Sequence, residues 1–417
     1  MNRTILFLVV SAVLLVIDIY AYSGLKVAIS SLPITAQKIL KVVFWGLSIV
    51  TYISFILFEP LSHNPATRKF VMIFSTIGVA NIIGKLLFAL WLLLDDIIRF
   101  FRWIAAKQAE ASNPAESEST KISRLKFLTV AGAATAAVPL ITMGWGIVSG
   151  AHDYTVKRRT LKLKNLPDAF QGYKILQISD IHSGSFWSKS AVQKGIEMIN
   201  AQNADIIFFT GDLVNNSADE LEDWIDVFGA IKAKEGIFSI LGNHDYGDYL
   251  AWPTEQDKKN NLSRLKEMQR GMGWDLLLDE NRTITKDGQS IAVIGIENWG
   301  AKGRFPKYGD LSKAVKGVEH VPVKLLLSHD PSHWRAQVIP EFPEIDVMFS
   351  GHTHGMQFGI EVGSVKWSPV KYFYPEWADL YTEGDQKLYV NRGFGYIGYP
   401  GRFGILPEIT VFDLQRA

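Results

Sequence analysis

The chain has no cysteine among its 417 residues. Disulfides, thiolate nucleophiles and cysteine-based zinc sites are therefore excluded, while either redox compartment stays open to it. Net charge is nearly missing too, since 43 Lys and Arg stand against 42 Asp and Glu, leaving +1. That balance offers no basic surplus to hold a nucleic acid by its phosphates, and no nucleic-acid partner is expected. Long apolar runs, by contrast, are abundant, but only in the first part of the chain. The length exceeds one ordinary domain. A change of character near Gly150 points to a transmembrane region over 1–150 and a globular domain over 151–417, large enough for a sizeable core.

Within the first part, residues 5–22, 39–58, 70–94 and 127–148 approach or exceed the roughly 20 residues of helix that a bilayer requires. The first run lacks a small-residue cleavage site and is soon followed by others, so it reads as a retained helix rather than a signal peptide. Gly132, Ala133, Ala134, Ala136 and Ala137 give the fourth a small-residue face that lets helices approach closely. Asp18, Lys41, Asn81 and Lys85 interrupt the apolar pattern. Lys41 suits snorkelling from a helix end, and Asp18 and Lys85 suit pairing inside a bundle; the alternative is a polar path or a lipid-headgroup contact.

Residues 105–123, rich in Ser and Glu, read as a solvated flexible loop. Arg99, Arg102, Lys107, Lys121, Arg124 and Lys126 flank it, which by the positive-inside rule places the loop in the cytoplasm. Four spans then leave the N-terminus and the second domain outside. Arg68, Lys69, Lys157, Arg158 and Arg159 pull the other way.

From Thr155 onward, strand-like and helix-like patterns alternate. Five apolar runs each end in residues suited to metals: Asp180-Ile181-His182, Gly211-Asp212, Gly242-Asn243-His244-Asp245, Ser328-His329-Asp330 and Gly351-His352-Thr353-His354. Between the early strands, 190–202 and 218–232 have helical spacing, which implies parallel strands with right-handed crossovers. Ligands of open α/β sheets gather beyond the carboxyl ends of the strands, and these residues fall there. The glycines beside them suit sharp turns without Cβ hindrance. One such segment alone is an ordinary turn or core histidine. Five, all at strand ends, indicate a mixed O/N set for two first-row cations sharing a carboxylate, and hence a hydrolase of phosphate esters.

In this order the motifs resemble the calcineurin-like metallophosphoesterases, by motif over about 175–355. The resemblance implies an α/β fold, with two mixed β-sheets in a sandwich flanked by helices and the site at one edge. It implies that Asp180, His182 and His354 hold one divalent metal and Asn243, His329 and His352 a second, with Asp212 bridging. Mn, Fe and Zn all suit these ligands. A hydroxide bridging the metals would attack phosphorus in line, with His244 beside the leaving group and Asp245 orienting the His244 ring. Leu213 stands where the protein serine/threonine phosphatase branch carries an arginine, which argues against a protein phosphatase. Gly355-Met356-Gln357 is similar to the membrane-associated, exported bacterial branch, which includes lipid-directed enzymes. A bacterial inner-membrane protein with an extracytoplasmic catalytic domain is the corresponding expectation.

Beyond the ligands, Arg392, Arg402 and Gln357 are expected to contact substrate, the arginines by clamping a further phosphate; an ion pair with an acidic residue is the alternative for the arginines. Residues 367–381 hold Trp367, Tyr372, Phe373, Tyr374, Trp377 and Tyr381, suited to an apolar substrate tail, to the bilayer interface, or to plain loop packing. The expected substrate is therefore a phosphate ester or pyrophosphate, lipid-linked in the manner of UDP-diacylglucosamine or a lipid phosphate. The rival expectation is a membrane sensor or transport protein whose phosphoesterase domain is regulatory.

Overall fold

A computed structural model describes residues 3–62, 65–112, 124–303, 305–363 and 365–417. The chain divides into two compact units, Met1–Trp145 and Gly146–Ala417.

The first unit is built on α1 (Arg3–Ala28), α2 (Ile34–Ser62), α3 (Pro65–Ser112) and most of α4 (Lys126–Val148). Each is long and apolar enough to cross a membrane. The third has 48 residues, about 72 Å of helix, more than twice the ~30 Å thickness of a bilayer's hydrocarbon core. The loop expected from Ala105 therefore does not start there. Residues 105–112 continue α3, and 113–123 lie outside the described residues. Hydropathy marks where a helix leaves lipid, whereas helical hydrogen bonding continues as long as the sequence tolerates it, and 105–112 contains good helix formers.

Polar residues inside the unit satisfy one another. Lys85 Nζ donates to Asp18 Oδ1 at 2.6 Å and to Ser48 Oγ at 2.5 Å, while Tyr52 donates to Asp18 Oδ2 at 3.1 Å. Asn81 Nδ2 donates to Thr51 Oγ1 at 2.9 Å. These bonds tie α1, α2 and α3 together, so Asp18 and Lys85 pair inside the bundle. The small-residue face of α4 is used as well: a Cβ on Gly84 would lie 2.3 Å from the Ala136 carbonyl oxygen, so the helix backbones approach closely.

The second unit contains two six-stranded mixed sheets. One holds β1 (Thr155–Leu163), β2 (Lys174–Ile178), β3 (Ile206–Phe209), β4 (Ile237–Ser239), β5 (Trp274–Leu276) and β14 (Glu408–Arg416), in the order β1-β14-β2-β3-β4-β5. The other holds β6 (Glu280–Lys286), β7 (Gln289–Gly295), β8 (Lys324–Leu327), β9 (Val347–Ser350), β12 (Asp379–Glu383) and β13 (Gln386–Val390), in the order β12-β13-β9-β8-β7-β6. A separate antiparallel hairpin pairs β10 (Ile360–Val362) with β11 (Val365–Trp367).

The central strands β2, β3, β8 and β9 are almost wholly buried apolar runs, because both of their faces are covered. Ile206 and Phe208 of β3 meet Leu325, Leu327, Val347 and Phe349 of the opposite sheet in the middle layer. Ile207 and Phe209 point the other way, into a cluster with Val192, Ile196 and Ile199 of α5 (Lys189–Asn200). On the far side, Leu326 and Met348 pack with Trp334 and Val338. The result is the expected sandwich of two mixed sheets with helical layers outside. The helical spacing read over 218–232 resolves into a 3₁₀ segment, Ala218–Trp224, and one turn, α6 (Ile225–Phe228). The longer α7 (Glu255–Gly271) begins with Thr254 capping the backbone N–H of Asp257.

Candidate metal centre

The parallel strands β2, β3, β4, β8 and β9 deliver their following residues to one edge of the sandwich. Five of the seven expected ligands, Asp180, His182, Asp212, His352 and His354, have left-handed backbones with φ between 50° and 71°. Such φ values are unfavourable for residues with a Cβ and are retained where surrounding structure imposes them. Gly211 shares this geometry at φ 94°, as its turn requires. Gly351 serves differently: a Cβ there would lie 1.9 Å from Ser179 Oγ and 2.1 Å from Asp180 Oδ2, so its role is close approach.

Two sets of donors converge. Asp180, His182 and His354 form one, and Asp212, His329 and His352 the other. In the first, His182 Nε2 and His354 Nε2 are 3.0 Å apart, and His354 Nε2 is 3.2 Å from Asp180 Oδ1. In the second, His329 Nε2 lies 3.1 Å from Asp212 Oδ2, and His352 Nδ1 lies 2.8 Å from Asn243 Oδ1. The same Asp212 Oδ2 is 3.6 Å from His182 Nε2, so one carboxylate faces both sets.

The donor chemistry fits cations. His329 Nδ1–H donates to the Thr210 carbonyl at 2.7 Å, which fixes the ring and turns its buried Nε2 toward Asp212. Two imidazole nitrogens facing each other at 3.0 Å suit a shared cation. Burial raises the Asp180 and Asp212 carboxyls, but neighbouring histidines outweigh it and hold both below the usual carboxylate range, so both are ionised.

His244 sits beside this set, its ring centroid 5.0 Å from that of His182. Its Nδ1–H donates to the Asn215 carbonyl at 2.7 Å, and its backbone N–H donates to Asp212 Oδ1 at 2.8 Å. Asp245 therefore does not orient this ring, contrary to expectation. Its carboxylate is buried and accepts the backbone N–H groups of Gly242, Asp212, Leu213 and Val214, so it holds the β3 and β4 turns together. Burial and the nearby Asp212 charge push its carboxyl up to about 7, against the pull of those N–H groups.

The expected substrate contacts are also corrected. Arg392 is fully buried and pairs with Glu408 at 2.5 Å and Glu361 at 3.1 Å. Arg402 is fully buried and donates to the carbonyls of Gly395 and Arg392, with Nη2 3.2 Å from His354 Nδ1. Gln357 spends its amide on the carbonyls of Tyr399 and Gly401 and accepts from Ile397 N–H. These side chains are committed to the protein, and the one donor among them without a partner, Arg392 Nε, is buried.

Three supporting residues were not legible as such. Asn215 lies only three residues past Asp212, but nothing in its type marks a carbonyl aimed at His244. Tyr374 reaches back so that its hydroxyl lies 3.0 Å from His352 Nε2 and 3.3 Å from Asp330 Oδ2. An Nε2–H of His352 donating to Tyr374, which donates in turn to Asp330, leaves Nδ1 free for a cation. Tyr249 similarly accepts from Asn243 Nδ2 at 2.8 Å, directing Oδ1 inward.

Comparison with known proteins agrees with this geometry. Residues 2–151 match the transmembrane domain described as probable calcineurin-like phosphoesterase, and residues 173–356 match the calcineurin-like phosphoesterase domain. The chain belongs to the calcineurin-like metallophosphoesterases. It is an integral membrane member, with four helices able to span a bilayer. The family comprises metal-dependent phosphoric ester hydrolases, and the two His/Asp sets are its candidate sites for divalent metals. A transmembrane protein with metallophosphoesterase domain from Danio rerio is 28% identical over 66% of this chain and 60% of its own length. The metallophosphoesterase YkuE of Bacillus subtilis is 29% identical over 71% of this chain and 98% of its own length. UDP-2,3-diacylglucosamine pyrophosphatase LpxG of Chlamydia trachomatis is 26% identical over 66% of this chain and 93% of its own length. The chain spans about three-fifths of the vertebrate relatives it matches.

Proposed function

We propose that the protein is a membrane-anchored phosphoesterase that hydrolyses a phosphate ester or pyrophosphate of a lipid-linked compound. The observation that carries this reading is Asp212 Oδ2, which faces His329 at 3.1 Å and His182 at 3.6 Å and so stands between two ligand sets. We assign Asp180, His182 and His354 to one cation, Asn243, His329 and His352 to the other, and Asp212 to both, with the membrane region over 1–150 and the catalytic domain over 151–417. Two divalent cations of the Mn, Fe or Zn type supply, when bound, charge neutralisation of the phosphate oxygens and an activated water.

The chain's own residues do the rest. Asp180 and Asp212 enter as anions. His329 is held by Thr210 with Nε2 turned inward to Asp212, and His352 by Tyr374. His244, fixed through Nδ1–H on Asn215, keeps Nε2 for the departing oxygen. Asp245 holds the turns that place Asp212 and Asn243.

Support for a lipid-linked substrate comes from the four spans and from the likeness to a relative named as a UDP-2,3-diacylglucosamine pyrophosphatase. An extracytoplasmic face for the domain accords with the basic residues around 99–126, and a bacterial inner membrane with the likeness to bacterial relatives. Labelling a cysteine at Lys189 or Asn260 from outside intact cells tests that orientation. Turnover by the purified, Mn²⁺-loaded full chain on acylated and deacylated forms of one pyrophosphate tests the substrate. Preference for the acylated form is expected, and equal rates would remove the lipid from the proposal.

A second reading, sensing or transport through the helices, has one observation in its favour: a cavity of about 10 Å³, room for about one water, lined by Asp18, Asn81 and Lys85. The pair is satisfied by Ser48 and Tyr52, which fits a helix lock better. A cellular role that persists with both residues replaced by Leu removes the motive for that reading.

A further inference from the structure

The β10–β11 hairpin leaves most of its apolar side chains exposed. Its register pairs Ile360 with Trp367, Glu361 with Lys366 and Val362 with Val365. Directly opposed residues share a face and alternate residues share it too, so Ile360, Val362, Val365 and Trp367 form one face, with Glu361 and Lys366 on the other. In a sheet half covered by protein and half by water, the apolar face turns inward. Here the polar face makes the bonds to the protein, although Lys366 keeps much of its surface exposed and Trp367, on the apolar face, is half-buried. Glu361 bonds Arg392 at 3.1 Å and pairs with Lys157, and Lys366 Nζ donates to the Ala378 carbonyl at 2.6 Å. The apolar face is left outside, with Val362 72% and Val365 63% exposed.

The chain that follows continues the pattern. Tyr372 is 72% and Phe373 63% exposed, next to the exposed Lys371. Among the described residues of the second unit, nine large apolar side chains are exposed, and six of them fall between Met356 and Phe373. Exposed apolar residues scattered singly need no explanation, but this concentration on one short segment does.

We propose that the hairpin and the 369–373 turn form a docking surface for the interfacial region of a lipid bilayer carrying anionic headgroups. Val362 and Val365 supply apolar surface, Tyr372 and Phe373 the aromatic character favoured at headgroup depth, and Lys371 a cation for the headgroups. Because the chain itself spans a membrane, lipid is present at high effective concentration for every part of it. The same segment begins two residues after His354 and ends one before Tyr374, so the docked surface adjoins the metal centre along the chain. The proposal goes beyond the reading of the substrate and holds whichever ester is cut.

The absence of native cysteine makes the test direct. Full-length Val362→Cys and Phe373→Cys, with Lys286→Cys as a water-facing control, are spin-labelled and reconstituted in phosphatidylcholine vesicles containing phosphatidylglycerol. Thermal unfolding midpoints equal to wild type establish that each variant is folded. The labels at 362 and 373 should collide about fivefold less with a water-soluble nickel chelate than the label at 286, and more with lipid-soluble oxygen. Nickel accessibility equal to the control overturns the proposal. Protection without a gain in oxygen collisions, accompanied by spin–spin broadening, also overturns it, because a second copy of the chain then covers the face.

Discussion

Both units bury charged and polar side chains, and the two do so in opposite ways. In the helical unit every strong donor described near the Asp18–Lys85 pair meets an acceptor: Lys85 meets Asp18 and Ser48, Tyr52 meets Asp18, and Asn81 meets Thr51. At the strand ends, imidazole nitrogens and carboxylates are gathered against one another instead. His182 Nε2 lies 3.0 Å from His354 Nε2, and His329 Nε2 lies 3.1 Å from the Asp212 carboxylate. Backbone strain follows the same division, gathering in the turns that carry Asp180, His182, Asp212, His352 and His354. A buried polar cluster that closes on itself holds a structure together. One that packs imidazole and carboxylate groups of metal-binding type onto a single edge is suited to hold something that is not protein.

That contrast can be broken most forcefully at Asp212. Asp212→Asn should lower turnover by roughly a thousandfold, the several kcal/mol that a metal pair supplies. Titration calorimetry with Mn²⁺ should lose both binding events. Full activity with both cations retained would refute the shared ligand.

The helical cluster should answer in the reverse sense. Asp18→Leu strands a buried ammonium and should destabilise the full chain by about 3 kcal/mol or more, whereas Asp18→Leu with Lys85→Leu should recover most of it. Thermal unfolding in bicelles measures both, and identical losses in the single and double variants would mean there is no pair to break.

His333 offers a control inside the catalytic unit, a buried histidine of the self-satisfied kind. Its Nε2–H donates to Gln337 at 2.9 Å and its Nδ1 lies 2.9 Å from the Ser328 hydroxyl. Burial pushes its pKa down to about 4 from an ordinary 6.5. Above the ordinary value it is neutral folded or unfolded, so its stabilising contribution is complete. As pH falls from 6.5 to 4 the unfolded chain binds the proton first, and at most about 3 kcal/mol is lost. His333→Asn should flatten that part of the stability profile in denaturant titrations at stepped pH, and an unchanged slope would exclude this residue as its source.

The smallest effect tests the supporting shell. Tyr374→Phe should weaken one of the two Mn²⁺ binding events by 10- to 100-fold and spare the other. Equal weakening of both, or of neither, would show that Tyr374 does not act through His352.

Most of the centre was legible because its residues are chemically unusual at strand ends, and five such segments in order are hard to mistake. The apolar runs of β2, β3, β8 and β9 were legible for the same reason that they are buried on both faces. What escaped was set by contacts between distant segments. Arg392 looks like a phosphate clamp until β14 brings Glu408 against it at 2.5 Å. Asp245 looks like a partner for His244 until the turn after β3 presents three N–H groups to it. The end of α3 escaped because charge and helicity are independent properties.

The left-handed turns also decide how the site can be dissected. A histidine replaced there by alanine loses its imidazole and leaves a Cβ in a conformation disfavoured by about 1–2 kcal/mol. The native histidine already bears that burden, so alanine removes the imidazole alone, whereas glycine also relieves the turn. For His182, His352 and His354, the cleaner deletion is therefore to alanine, and the difference between His→Gly and His→Ala reports how much strain each turn holds.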